Sequence, residues 1–170
     1  ERIGDICIEC GALEVFVADN RTTRDKLWKG RKSVAEAVWA FAPIQLANED
    51  LVVPTSRISE FMEELRNICS RHNVEYVAYG HLGDGNMHVT IYVKEENSNW
   101  HEIIEGACLE VYSLVRKLEG TLTGEHGVGL KRAKYIPSFL DKAQIELIRR
   151  VKLAFDPNNI LNPGKIIPWD

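Results

Sequence analysis

The sequence lacks any apolar run near the ~18 residues that a membrane-spanning helix requires, and no signal-peptide pattern opens it. It also lacks an excess of basic charge. Lys plus Arg number 21 against 25 Asp plus Glu, a net charge of −4, which argues against a nucleic-acid binder working through a basic face. Repeats and low-complexity tracts are absent. With 45% hydrophobic and 27% charged residues, disordered and collagen-like classes are excluded, and 170 residues suit one domain with a core of its own.

Cysteine is scarce, with residues only at 7, 10, 69 and 108, and a chain of this length needs no disulfide framework. Reduced thiols predict a cytoplasmic protein, with peripheral attachment to a membrane left open. Cys7 and Cys10 form a CxxC, yet Cys69 and Cys108 are not the second pair that a tetrahedral site needs. Ile3, Ile6 and Cys10 recur at helical spacing before a Gly11 stop, so the favoured reading is a structural role on a buried helix face, with a metal or redox role the alternative. The chain opens with Glu1 inside that expected helix. It therefore reads as a fragment of something longer that has lost its first strand.

Punctuation divides the rest into helices and strands. A short strand is expected over Leu13–Ala18, then a helix over 22–41 with Leu27, Val34, Val38 and Phe41 on one face, ended by Pro43. A short extended piece covers Leu51–Val53. A helix over 56–71 carries Ile58, Phe61, Leu65 and Ile68, and a longer one over 99–119 carries Ile103, Ala107, Val111, Leu114 and Leu118. Ser138 is the expected cap of a last helix reaching Phe155, with Leu140, Leu147, Val151 and Ala154 inward. Helices mixed with hairpin-paired strands define an α+β fold, an antiparallel sheet with helices on one face.

Residues 75–94 form the expected hairpin. Asp84-Gly85 suits a two-residue type I′ turn, and that centre sets Glu75 opposite Lys94, Val77 opposite Tyr92 and His81 opposite His88. Tyr76, Ala78, Leu82, Met87, Val89, Ile91 and Val93 then share the core face. The two histidines lie on the other face, close enough either to bind one metal ion or to form a stacked polar pair. The loop 120–130 has four glycines and holds Glu125-His126 between Gly124 and Gly127. Either it is a solvated connector, or it completes a His2Glu set with an open position, as in catalytic zinc sites. Eight of the 12 glycines fall between 80 and 129, which places backbone freedom where these side chains are. Lys131, Arg132 and Lys134 read as a solvated basic turn, with phosphate contact the alternative.

GHLGDGNMH (80–88), TGEHGVGLKR (123–132) and FDPNNILNPGK (155–165) together resemble the C-terminal cap domain of FAD-linked oxidases of the vanillyl-alcohol oxidase type. Members that it resembles include the glycolate oxidase flavin subunit and the D-lactate and D-2-hydroxyglutarate dehydrogenases. LWKGRK (27–32) resembles that family's substrate-arginine segment, so the likeness covers the whole chain. The resemblance implies a ferredoxin-like cap domain spanning residues 1–170, working over FAD held mostly by an N-terminal domain of the same protein. It implies that His81, His88 and Glu125 ligate a divalent metal, zinc first among candidates, and that His126 is the active-site base. Arg31 would pair with the substrate carboxylate, and Asn162 would contact the flavin.

These roles imply oxidation of a small 2-hydroxy acid to a 2-oxo acid, with a hydride passing to the flavin. An electron-acceptor or iron–sulfur subunit is a further implied partner, and the isolated chain is expected to be inactive and to self-associate through faces left uncovered, including that around Trp28. The likeness is not complete. Ala35 stands where hydroxyglutarate-type members carry Thr, no Lys follows Lys32 until Lys94, and Thr90 stands where those members have Asn. This favours a monocarboxylate of the lactate or glycolate type. Two other readings of the residues stay open: a stand-alone ferredoxin-like metal-binding or ligand-sensing module, and a zinc hydrolase using the same His2Glu set.

Overall fold

A computed structural model describes residues 2–41, 45–96 and 98–169. The chain forms two compact units, residues 1–42 and residues 43–170. The first is helical, with α1 (Arg2–Glu9), α2 (Arg21–Lys32) and α3 (Val34–Phe41). Asn20 caps α2, its Oδ1 accepting the Thr23 N–H at 2.9 Å. The helix expected over 22–41 is broken at Ser33, whose N–H and hydroxyl both bond to the Lys29 carbonyl. The Pro43 stop lies outside the described residues.

Two expectations for this unit fail. Leu13–Ala18 is irregular, with Leu13, Phe16 and Val17 exposed, because a strand needs a neighbour for its backbone and the described strands all lie in the second unit. α1 buries none of its residues, and Cys10 is exposed while Cys7 is half-buried. So small a unit offers an eight-residue helix too little surface to form the expected buried face.

The second unit contains β1 (Leu46–Val52), α4 (Ile58–Arg71), β2 (Glu75–His81), β3 (Asn86–Tyr92), α5 (Trp100–Lys117), α6 (Ile136–Phe139) and α7 (Lys142–Phe155). Its strands form an antiparallel sheet in the order β1-β3-β2, as the α+β reading requires. Phe61, Leu65 and Ile68 of α4 and Ala107, Val111, Leu114 and Val115 of α5 are buried in one core with Leu51, Met87, Val89 and Ile91 of the sheet. Each large side chain so buried contributes roughly 1.5–3 kcal/mol. The opposite face carries Asp50 on β1, Tyr79 and His81 on β2, and Asn86, His88 and Thr90 on β3.

The hairpin departs from the expected register. Tyr79 pairs with His88, Val77 with Thr90 and His81 with Asn86, so the strands are two residues out from the alignment that set His81 against His88. The connection is one turn of 3-10 helix over Leu82–Asp84, closed by Gly85 at φ +71. A Cβ on Gly85 would lie 2.0 Å from the Val53 carbonyl oxygen, so the longer loop depends on glycine there. Leu82 leaves the core face for this loop and is exposed. A two-residue slip keeps every other side chain on its face, so both histidines stay on the polar side. Glu75 still reaches Lys94, diagonally, at 3.7 Å.

β1 is longer than the Leu51–Val53 piece read from the sequence, because its polar start is buried with partners. At the other end, Asp141 rather than Ser138 caps the last helix, exchanging hydrogen bonds with Gln144 in a capping box. Ser138 belongs to the separate α6, and its hydroxyl bonds to the Tyr135 carbonyl. Ile145 and Ile148 of this helix pack against the core, while Leu147, Val151 and Ala154 are exposed. Among the described residues, no helix is long and apolar enough to cross a membrane.

Candidate functional site

The polar face of the sheet gathers four of the six residues singled out from the sequence. His81 ends β2, His88 stands in the middle of β3, and Glu125 and His126 hang from the segment after Thr121. Thr121 bridges the β1 edge, exchanging two backbone hydrogen bonds with Val52 at 2.9 and 3.1 Å. The chain then passes so close to β3 that a Cβ on Gly124 would lie 2.2 Å from Asn86 Nδ2. Glycine at 124 is what lets Glu125 and His126 approach the sheet.

Three imidazoles converge on one carboxylate oxygen. Glu125 Oε1 lies 3.3 Å from His88 Nε2, 3.6 Å from His81 Nε2 and 3.9 Å from His126 Nε2. The His88 and His126 rings stack with centroids 5.2 Å apart, and His81 meets His88 edge-on at 5.4 Å. Beside Glu125 a cavity of about 380 Å³ is lined by Val52, His81, Asp84, Asn86, Gly124 and Glu125. That is room for a small molecule.

A fifth residue, not singled out from the sequence, organises the cluster. Asp50 is wholly buried. Its Oδ2 accepts the backbone N–H groups of Gly124, Glu125 and His126 at 2.8–2.9 Å and the Thr123 hydroxyl at 3.2 Å. Burial by itself pushes the carboxyl pKa up, but the three N–H donors and the nearby His126 outweigh it and hold the group at about 2. Asp50 Oδ1 lies 3.4 Å from His88 Nδ1, and Asp50 Oδ2 lies 3.9 Å from His126 Nδ1. Burial depresses the pKa of His88, with the Asp50 charge working against it. Asp50, His88, Glu125 and His126 each present a ligand atom within 4.8 Å of the others, a nitrogen–oxygen set suited to zinc, manganese or iron. In sequence, Asp50 stood just before the expected extended piece, where an acidic pair reads as loop.

The basic turn is neither solvated throughout nor poised for phosphate. Arg132 is buried and reaches Glu49 Oε2 at 3.0 Å, and Lys131 reaches Glu49 Oε1 at 2.6 Å. Both also bond the Asn48 carbonyl, at 3.2 and 2.7 Å. Lys134 pairs with Glu105. The two remaining sequence candidates lie elsewhere. Arg31 is half-buried in the last turn of α2, in the first unit. Asn162 takes a positive φ of 50°, accepts a hydrogen bond from Lys165 Nζ at 2.8 Å, and lines a different cavity of about 720 Å³ with Leu147, Val151, Phe155 and Ile166.

Fold and site define an α+β domain that presents a histidine–carboxylate cluster on the open face of an antiparallel sheet. The chain belongs to the family of FAD linked oxidases, C-terminal domain, whose model matches residues 1–166. It is 35% identical over its whole length to the glycolate oxidase subunit GlcD of Bacillus subtilis, covering 36% of that protein. It is 33% identical to the D-lactate dehydrogenase of Anaerostipes hadrus over 98% of this chain and 35% of that one. The D-2-hydroxyglutarate dehydrogenase of Stutzerimonas stutzeri is also 33% identical, over 94% of this chain and 35% of the relative. The chain thus spans about a third of the length of the relatives it matches.

Proposed function

We propose that this chain is the substrate-binding cap of an FAD-dependent dehydrogenase that oxidises a small 2-hydroxy acid of the D-lactate or glycolate type to its 2-oxo acid. The observation that carries this reading is the convergence of three imidazole Nε2 atoms on Glu125 Oε1, in a domain of this family. His81, His88 and Glu125 would hold a divalent metal, zinc first. The donors fit one, since the Nε2 atoms of His81 and His88 both face Glu125 Oε1, although the ligand atoms that lie within 4.8 Å of one another are those of Asp50, His88, Glu125 and His126. A bound metal supplies Lewis acidity toward the substrate hydroxyl, and bound flavin supplies the hydride acceptor.

The chain's own residues do the rest. His126 Nε2 accepts the proton of the substrate hydroxyl, and its half-exposed ring can pass that proton to water. Arg31, in the first unit, holds the substrate carboxylate by a two-bond fork and so selects which face is presented. Asn162 contacts the flavin, which the remainder of the same polypeptide holds, and an acceptor or iron–sulfur subunit takes the electrons onward. The cavity beside Glu125 is of a size for a small hydroxy acid.

Two measurements test this. Elemental analysis of the purified chain should find about one equivalent of metal, lost in His81→Ala and in Glu125→Ala. In the full-length polypeptide, anaerobic D-lactate or glycolate should bleach the flavin, and His126→Asn should slow that step by roughly 10²–10⁴-fold. Bleaching that is unaffected by His126→Asn would overturn the assigned base.

A further inference from the structure

We propose that Asp50 selects the tautomer of His88, fixing the proton on Nδ1 and leaving the Nε2 lone pair to face the cluster; this rests on the reading of that cluster as a metal site. The two oxygens of Asp50 have different surroundings. Oδ2 is saturated by three backbone N–H groups and the Thr123 hydroxyl. Oδ1 is buried and, among the described residues, has no hydrogen-bond partner; the same is true of His88 Nδ1, 3.4 Å away.

A neutral His88 ring has two carboxylates to serve, and burial decides between them: Glu125 Oε1, on a half-exposed side chain, can turn to water, whereas the wholly buried Asp50 Oδ1 has, among the described residues, only Nδ1. With hydrogen on Nδ1, a small turn of the ring makes a charge-assisted hydrogen bond and satisfies both orphaned atoms. With hydrogen on Nε2 instead, a buried lone pair faces a buried carboxylate oxygen, and both stay unpaired. The loop bonds to Oδ2 hold the carboxylate in place, so Oδ1 cannot turn away to water. Side chains opposite the ring complete the geometry: Nε2 faces Glu125 Oε1 at 3.3 Å, and the Tyr79 and His126 rings lie 5.2 Å from it. Asp50 does not line the proposed substrate cavity, and its free oxygen faces His88 Nδ1 rather than an Nε2 atom. It is a positioning residue, acting through His88, in the way carboxylates commonly orient metal-binding histidines.

Nitrogen-15 NMR of the metal-free chain at pH 8, where imidazoles are neutral, reads the tautomer directly. The expected result is an Nδ1–H His88 in the parent and an Nε2–H His88 in Asp50→Asn, whose carbonyl still accepts the loop N–H groups while its amide faces Nδ1. Zinc affinity should fall about 10–100-fold in Asp50→Asn, with the far-ultraviolet circular dichroism unchanged. An Nε2–H His88 in the parent, or an Nδ1–H His88 surviving in Asp50→Asn, would overturn the proposal. If Asp50→Asn does not fold, exchange of the parent's Nδ1 proton with water takes its place: slow exchange supports the bond to Asp50, and fast exchange overturns it. A tautomer that switches as expected in a chain that takes up no zinc would support the role of Asp50 and sink the metal reading instead.

Discussion

Glu49 and Asp50 are consecutive in β1, and both are buried carboxylates, yet the two-residue period of the strand turns them to opposite faces of the sheet. Glu49 faces the helices, where the Tyr112 hydroxyl bonds it at 2.7 Å and Arg132 and Lys131 neutralise it. That neighbourhood pushes the Tyr112 hydroxyl pKa well up, chiefly through burial and then through the Glu49 charge. Asp50 faces the histidines, where backbone N–H groups stand in for a full countercharge. The two acids grip opposite ends of one segment, Asp50 at 123–126 and Glu49 at 131–132, across the β1 edge. The comparison separates two uses of a buried charge. On the helix side it is paired and closed off, whereas on the polar side one oxygen is left facing His88.

Breaking the helix side should cost most. Glu49→Ala leaves Arg132 buried without its partner, and urea unfolding should show a loss of about 3–5 kcal/mol. A loss under 1 kcal/mol would mean that Arg132 simply swings to water. Acid should act on the polar side. The folded-state pKa of Asp50 is depressed from 3.8 to about 2, so its contribution is present above pH ~4 and lost as pH falls toward 2. It is worth about 2 kcal/mol, and Asp50→Asn should flatten that limb of the stability–pH curve.

Two smaller changes sharpen the contrast. Ile91→Val on the helix face should cost about 1 kcal/mol by thermal or urea unfolding and leave metal content untouched. His81→Ala, on the polar face, should change stability by less than about 0.5 kcal/mol while abolishing metal uptake. Equal stability losses in these two variants would erase the distinction between the faces.

Much of the architecture was legible in the residues. The stripes Phe61-Leu65-Ile68 and Ala107-Val111-Leu114 mark helices by their spacing and do face the core, because burial of an apolar stripe is what drives those segments together. The last helix is capped at Asp141 rather than Ser138 because a local competitor, the Asp141–Gln144 capping box, satisfies two backbone groups at once. Residues 13–18 form no strand because a strand needs a neighbour for its backbone, and the described strands all lie in the second unit. Hairpin register slipped by two because Gly85 could close a longer turn under the Val53 carbonyl, a contact no local signal announces.

For the site, His81, His88, Glu125 and His126 were recognisable from their glycine-rich motifs. The two strand histidines share a face through a period of two that any even slip preserves, and that much was a property of the sequence alone. That they meet around a single oxygen, and that a buried Asp50 aims one of them, was decided only by the tertiary structure. Residues 50 and 125 are far apart in the chain, and only the passage of the 121–132 segment along the β1 edge brings the Asp50 carboxylate under three backbone N–H groups. Local pattern chooses the face a side chain occupies, and long-range closure chooses what it meets there.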